Sequence, residues 1–263
     1  MDYGMPTLIE QMDTEKCAAM CRELGLRFIE LNMSFPQLQP EAIDVGRLRG
    51  IAEKYGIYYT VHIDESLDPC NVNAAIAAVY TDTMLKAIEL AKALGIPTLN
   101  MHLLRGIYVT LPTRRTYVYA ENEELYLANM RAFRDRVTEA IGDSGIRVCI
   151  ENTDGFDLPF LRHAVELLLE SEKFMLTFDV GHDHAIGDID LPLLLAHKDR
   201  LRHMHLHDAQ GKSVHLALGD GELDKSALIA LARDCGCRVV LETKTIDALT
   251  QSVRWLRDNG CME

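Results

Sequence analysis

The sequence predicts an α/β fold, a single (β/α)8 barrel, on three observations. Strand-like and helix-like runs alternate along the whole chain in eight β-then-α units. Such alternation implies a parallel sheet, and eight units suit closure of that sheet on itself. Acidic and imidazole residues stand where successive apolar runs give way to polar loops, which in a barrel brings distant side chains to one mouth. No glycine-rich phosphate loop follows the first strand, so the pattern of an open doubly wound sheet is missing.

The elements follow in order. Tyr3–Leu8 is a weak first strand. Thr14–Leu24 reads as a helix, with Asp13 as N-cap and Gly25 as its stop. Arg27–Asn32 is a strand and Glu41–Tyr55 a helix ended by Gly56. Ile57–Ile63, rich in aromatic and β-branched residues, is the third strand. Ala74–Leu94 is a long helix stopped by Gly95, and Thr98–Leu103 the next strand. Glu121–Ile141, Pro159–Leu169, Leu191–His197, Lys225–Cys235 and Thr245–Arg257 are helices; Arg147–Glu151, Phe174–Asp179, Arg202–His207 and Arg238–Glu242 are strands. The segment 104–120 is long for a βα loop and carries Arg105, Tyr108, Arg114, Arg115, Tyr117 and Tyr119. Long loops at this face act as lids or touch substrate, and a β-hairpin packed on the rim is the alternative.

At 263 residues the chain can bury one large core, and with no linker in it residues 1–263 read as one domain. Hydrophobic residues make up 48% and charged residues 25%, which excludes a disordered chain. The net charge of −13 repels polyanions, so nucleic acid is a disfavoured partner. The seven cysteines lack zinc-ribbon spacing, and Cys235-Gly-Cys237 is no CxxC, so reduced thiols and a cytoplasmic location are expected. No apolar run approaches the roughly 18 residues that span a bilayer, and Met1-Asp-Tyr-Gly-Met-Pro lacks the basic and apolar regions of a signal peptide. No membrane partner is expected; oligomeric state is not encoded in any pattern recognised.

Strand parity bears on the acids. Residues two apart share a face, so Glu151 lies with Cys149, Asp179 with Thr177 and Glu242 with Val240, each acid at the C-terminal end of its strand. Three carboxylates buried together require a compensating cation. A divalent ion supplies it, and a histidine on Arg202–His207 completes a mixed N/O set of the kind zinc, manganese or cobalt accepts. Any one of these acids could equally cap the helix after it; capping does not explain the series.

Glu151-Asn-Thr, Phe178-Asp-Val-Gly-His182, His203-Met-His-Leu-His-Asp208, His215-Leu-Ala-Leu-Gly-Asp-Gly-Glu-Leu-Asp224 and Val240-Leu-Glu-Thr-Lys244 occur in that order. As a set they resemble the xylose isomerase-like TIM barrel family, which contains sugar and sugar-phosphate isomerases and epimerases as well as endonuclease IV. The resemblance spans nearly the whole chain. It implies that Glu151, Asp179, His205 and Glu242 ligate one divalent ion, that Glu151 and Glu242 also move protons, and that His182 touches a substrate oxygen. Parity cannot separate His203, His205 and His207; the resemblance selects His205, leaves His203 as a core histidine and leaves His207 undecided.

The resemblance to endonuclease IV implies a second ion at His62 and His102 sharing Glu151, with substrate hydrogen bonding as the alternative. His182 and His215 match ligands of a third ion, but Lys212, Ser213 and Val214 stand where an aspartate ligand is expected just before His215. Lys244 binds a substrate anion or pairs with a carboxylate. Gly219-Asp-Gly221 offers amides to a phosphate or forms a plain turn. His163, His184 and His197 have no motif support.

The function so implied is a metal-dependent isomerase or epimerase acting on a small sugar or sugar phosphate through an enediolate. The alternatives are an endonuclease IV-like phosphodiesterase, a lyase such as a dehydratase on the same barrel, and a metal-binding protein without activity.

Overall fold

The structure is a computed structural model and describes residues 1–153 and 155–262. Eight strands, all parallel to their neighbours, close into a TIM barrel: β1 (Tyr3–Pro6), β2 (Phe28–Asn32), β3 (Tyr58–His62), β4 (Thr98–His102), β5 (Arg147–Glu151), β6 (Phe174–Asp179), β7 (Leu201–Leu206) and β8 (Arg238–Leu241). β1 lies between β2 and β8, so the ring closes and no strand edge is left unpaired.

Most elements fall within a residue or two of their sequence-predicted bounds. The helix Ala74–Leu94 has them unchanged: the Asn73 side chain accepts from the amide of Ala75, and Gly95 takes the left-handed conformation (φ 68°) that ends it. The helix expected at Glu41 begins at Val45, because Asp44 caps it by accepting from the amide of Arg47 at 2.9 Å. The helix expected at Glu121 begins at Glu123, after a separate short turn of helix, Val118–Glu121. His207 and Glu242 stand just beyond the ends of β7 and β8 rather than within them.

Segment 104–120 folds as an antiparallel hairpin, Tyr108–Thr110 with Arg115–Tyr117. A second hairpin, Asp208–Gln210 with Ser213–Leu216, follows β7 and has no counterpart in the sequence prediction.

Alternation along the strands sorts the side chains. Val61, Leu99, Val148, Leu176, Met204 and Val239 are buried on the face toward the helices, where the main apolar core lies. The opposite face is unusual. Barrel interiors are ordinarily filled by branched aliphatic residues, whereas here the buried set includes Glu30, Thr60, Asn100, Thr177, His203 and His205. At the other end of the barrel Phe28 lies against β1 because residue 4 is glycine; a Cβ there would stand 2.4 Å from the ring. All seven cysteines are free thiols. Among the described residues no helix is long and apolar enough to cross a membrane.

Candidate metal centre

The parallel register sets Glu151 beside His102 and Thr177, and His205 beside both Asp179 and Val240. Side chains from four strand ends therefore meet at one mouth. One donor atom each from Glu151, Asp179, His205 and Glu242 lies within 4.8 Å of the other three. Nδ1 of His205 stands 2.9 Å from Glu242 Oε2, 3.4 Å from Glu151 Oε2 and 3.8 Å from Asp179 Oδ2. A tetrahedral ion with bonds of about 2.0–2.2 Å holds its donors about 3.3–3.6 Å apart, within that spread. His205 Nδ1 and Glu242 Oε2 are buried and face one another with no other well-aligned hydrogen-bond partner, as suits ligand atoms facing an ion. Three carboxylates and one imidazole thus fit a divalent cation in spacing and chemistry.

Capping accounts for only one of the three acids. Asp179 Oδ1 accepts from the amide of His182 at 2.7 Å and caps the helix Val180–Ala185. The helix after β5, Pro159–Leu169, has no side-chain cap, and the one after β8 is capped by Thr245, not Glu242.

The cluster's charge is compensated internally by histidine. Burial opposes ionisation of Glu151, yet His205 and His102 outweigh it and hold its pKa well below the usual carboxylate range. Glu242 is held low in the same way, against burial, by His205 and then Lys244. Burial likewise opposes a proton on His205, but Glu151, Glu242 and Glu30 raise its pKa well above the ordinary imidazole value. The acids at this mouth demand positive charge, and a proton on His205 provides part of it.

Other histidines line the same mouth. Nε2 of His62 and of His102 lie 3.3 and 3.4 Å from Glu151 Oε2, so these two and Glu151 form a second group of converging donors. His62 Nδ1 donates to the carbonyl of Ile63 at 2.8 Å, so Nε2 is the nitrogen turned to Glu151. Burial opposes protonation of His62, but Glu151 raises its pKa to about 9. His182 Nδ1 lies 3.5 Å from Asp179 Oδ2 and is a buried atom without a hydrogen-bond partner.

His207, undecided on sequence, supports Asp179. The amide of His215 donates to His207 Nδ1 at 2.8 Å, and Nε2 faces Asp179 Oδ1 at 3.1 Å. The ring reaches this position because residue 181 of the Asp179-Val-Gly-His182 motif is glycine: a Cβ there would stand 2.0 Å from His207 Cε1. His215 has a left-handed backbone (φ 57°), costly for a non-glycine residue. Its Nδ1 lies 3.1 Å from the carbonyl of Glu242, and burial, then His207, lowers its pKa to about 4.

Lys244 pairs with Glu242 Oε1 at 2.8 Å. The Gly219–Gly221 turn is not an open phosphate cradle. The buried Asp208 carboxylate occupies it, accepting from the amides of Ala209, Gly219 and Leu223 and from Lys225 Nζ at 2.7 Å. In the exposed hairpin after β4, Arg114 pairs with Glu121 and Arg115 stacks on Tyr108. His163 pairs with Glu123 and His184 with Glu222, both away from the cluster.

Sequence reasoning passed over two buried residues next to the site, Glu30 and Asn100. Glu30, on β2, accepts from His203 and His205. Asn100 donates to Glu151, and its carbonyl oxygen accepts from Thr177 at 2.6 Å. Their signal was parity alone: each lies on the inward face of its strand.

No curated protein sequence matches the chain. In structure it is similar to a D-tagatose 3-epimerase-like protein, with TM-score 0.77 and 21% identity over 98% of this chain and 96% of that one. It is also similar to a D-allulose 3-epimerase from Methylomonas sp. in complex with D-allulose, with TM-score 0.74 and 18% identity over 98% and 96% of the two chains. A third similar structure is the IOLI protein with a bound zinc atom, with TM-score 0.76 and 13% identity over 99% and 98%. A family model matches residues 18–259, and the chain belongs to the xylose isomerase-like TIM barrel family.

Proposed function

We propose that this protein is a divalent-metal-dependent epimerase or isomerase of a small sugar, and that Glu151, Asp179, His205 and Glu242 hold its ion. The observation that carries the reading is the convergence of these four donors, within 4.8 Å, at the C-terminal mouth of the barrel. The epimerases among its structural relatives support the substrate class. Zinc, manganese and cobalt all suit the donor set.

When bound, the ion polarises the substrate carbonyl and stabilises the negative charge that develops on it. The chain's own residues do the rest. One of Glu151 and Glu242 removes the proton from the carbon beside the carbonyl, giving an enediolate, and the other returns a proton. Asn100 holds Oε2 of Glu151 and Lys244 holds Oε1 of Glu242. Both carboxylates are thereby fixed before substrate arrives, which serves proton transfer within hydrogen-bond reach. His182 and His215 line the mouth and contact substrate hydroxyls. Because Asp208 fills the turn after β7, a neutral sugar suits the mouth better than a sugar phosphate.

The test is solvent-deuterium exchange into a panel of ketoses, followed by NMR. Glu151→Gln and Glu242→Gln should each abolish exchange, since an amide keeps the shape but cannot take up the proton. Exchange at the wild-type rate in both variants would remove the proposed roles.

One observation favours a second reading, an endonuclease IV-like phosphodiesterase: the approach of His62 and His102 to Glu151, a ready second ion site. The net charge of −13, Ser213-Val214 before His215 and the engagement of Arg114 and Arg115 within their hairpin oppose it. Efficient metal-dependent incision of abasic DNA at physiological salt would make it the better account.

A further inference from the structure

Glu30 is a buried acid on the inward face of the barrel, and the proposed reaction does not use it. It sits mid-strand on β2, its side chain 3% exposed. Its Oε1 stands 2.9 Å from Nε2 of His205. Its Oε2 stands 2.9 Å from Nε2 of His203 and accepts from Thr60 Oγ1 at 3.0 Å. These are hydrogen-bond separations, and an ionised carboxylate only accepts. Both imidazoles must therefore carry hydrogen on Nε2. For His205 this has a specific result: Nδ1, the atom facing Glu242, Glu151 and Asp179, is the nitrogen whose proton an ion would displace to use its lone pair.

We propose that Glu30 is the positioning residue of the ion site, holding His205 in the tautomer and ring orientation that present Nδ1 to a divalent cation. The proposal rests on the reading of Glu151, Asp179, His205 and Glu242 as ion ligands. His203 and Thr60 hold the second oxygen, so the carboxylate cannot rotate away from His205. A carboxylate behind a ligating imidazole also makes its nitrogen a better donor. Stability does not call for this arrangement: a buried ion pair is often no better than apolar packing of the same volume. An apolar side chain does pack on this face: Phe28, two residues before Glu30, is fully buried there.

The experiment uses the full chain stripped of metal. Affinity for Zn2+ and Co2+ is read by competition with a chromophoric chelator, and the Co2+ absorption bands report the ligand geometry. In Glu30→Gln the amide oxygen can replace only one of the two carboxylate oxygens that His205 and His203 face separately, and the amide nitrogen opposes the N–H at the other. Affinity should fall about 10–100-fold and the Co2+ bands should change, while near-UV circular dichroism of the metal-free protein stays that of the wild type. Thr60→Val keeps the charge and loses one hydrogen bond to the carboxylate, so a drop of roughly a few-fold is expected; it carries the test if Glu30→Gln does not fold.

Asp179→Asn in the same assay separates the two ideas. If it loses metal while Glu30→Gln, or Thr60→Val in its place, binds as the wild type does, the role of Glu30 is overturned and the ligand set stands. If Asp179→Asn also binds normally, the ligand set falls and this inference falls with it.

Discussion

Replacing Asp179 separates its helix-capping role from the ion-binding role proposed for it. Oδ1 caps the helix Val180–Ala185 through the amide of His182 at 2.7 Å and faces His207 Nε2 at 3.1 Å, while Oδ2 faces His205. Asn keeps an oxygen for the cap and nearly the same volume but removes the charge. Asp179→Asn should therefore fold almost as well as the wild type and bind its ion at least about 100-fold more weakly, a loss of about 2.7 kcal/mol. Ala removes the cap as well, at about 1 kcal/mol. It also leaves the His207 N–H buried without a partner, at about 1–3 kcal/mol. Asp179→Ala should thus lose about 2–4 kcal/mol even without metal, a fall in Tm of roughly 5–15 °C for a chain of this size. Scanning calorimetry of metal-stripped protein and elemental analysis after dialysis against zinc measure the two effects independently. Wild-type zinc stoichiometry in Asp179→Asn would refute the ligand assignment. Equal melting of the Asn and Ala variants would refute the account of the cap and of His207.

Two further outcomes follow from the geometry. Metal affinity should rise with pH between about 6 and 8, by close to tenfold per unit, because the ion must displace the proton that the surrounding acids hold on His205 against the effect of burial. A flat profile in isothermal titration would mean that His205 is already neutral. Gly181→Ala should drive a Cβ into His207 Cε1 and cost about 1–3 kcal/mol by overpacking, read as a lower Tm. In a His207→Ala background the same glycine change should cost little, and an equal loss there would place the strain elsewhere.

The fold was legible because its signals are local. Asn73 and Gly95 delimit a helix whose bounds came out unchanged, since a cap and a left-handed stop are properties of a few adjacent residues. The helix expected at Glu41 was misplaced for the same kind of reason: Asp44, rather than a residue before Glu41, supplies the cap. The hairpin Asp208–Gln210 with Ser213–Leu216 was missed because what shapes it is tertiary. It is tied down by the His215 amide on His207 and by the loop amides gathered on Asp208, not by a strong turn sequence.

The same distinction explains which site residues could be read. In Asp179-Val-Gly-His182 one turn of chain serves three needs. Asp179 caps the amide of His182 three residues on, Gly181 makes room for the ring of His207, and His182 is carried to the mouth beside Asp179. Those requirements fix a spacing, and a fixed spacing is visible in one sequence. The link from Glu30 to His205 spans 175 positions and has no spacing to reveal it. A search for acids at strand ends also passes over Glu30, which sits mid-strand. What does point to it is parity. His203 and His205 face inward two apart, and two buried imidazoles on one strand need a polar partner across the barrel. Glu30, with Phe28 and Asn32 on its face, is the acid that β2 turns toward them, so inward-facing charges are best sought along whole strands as well as at their ends.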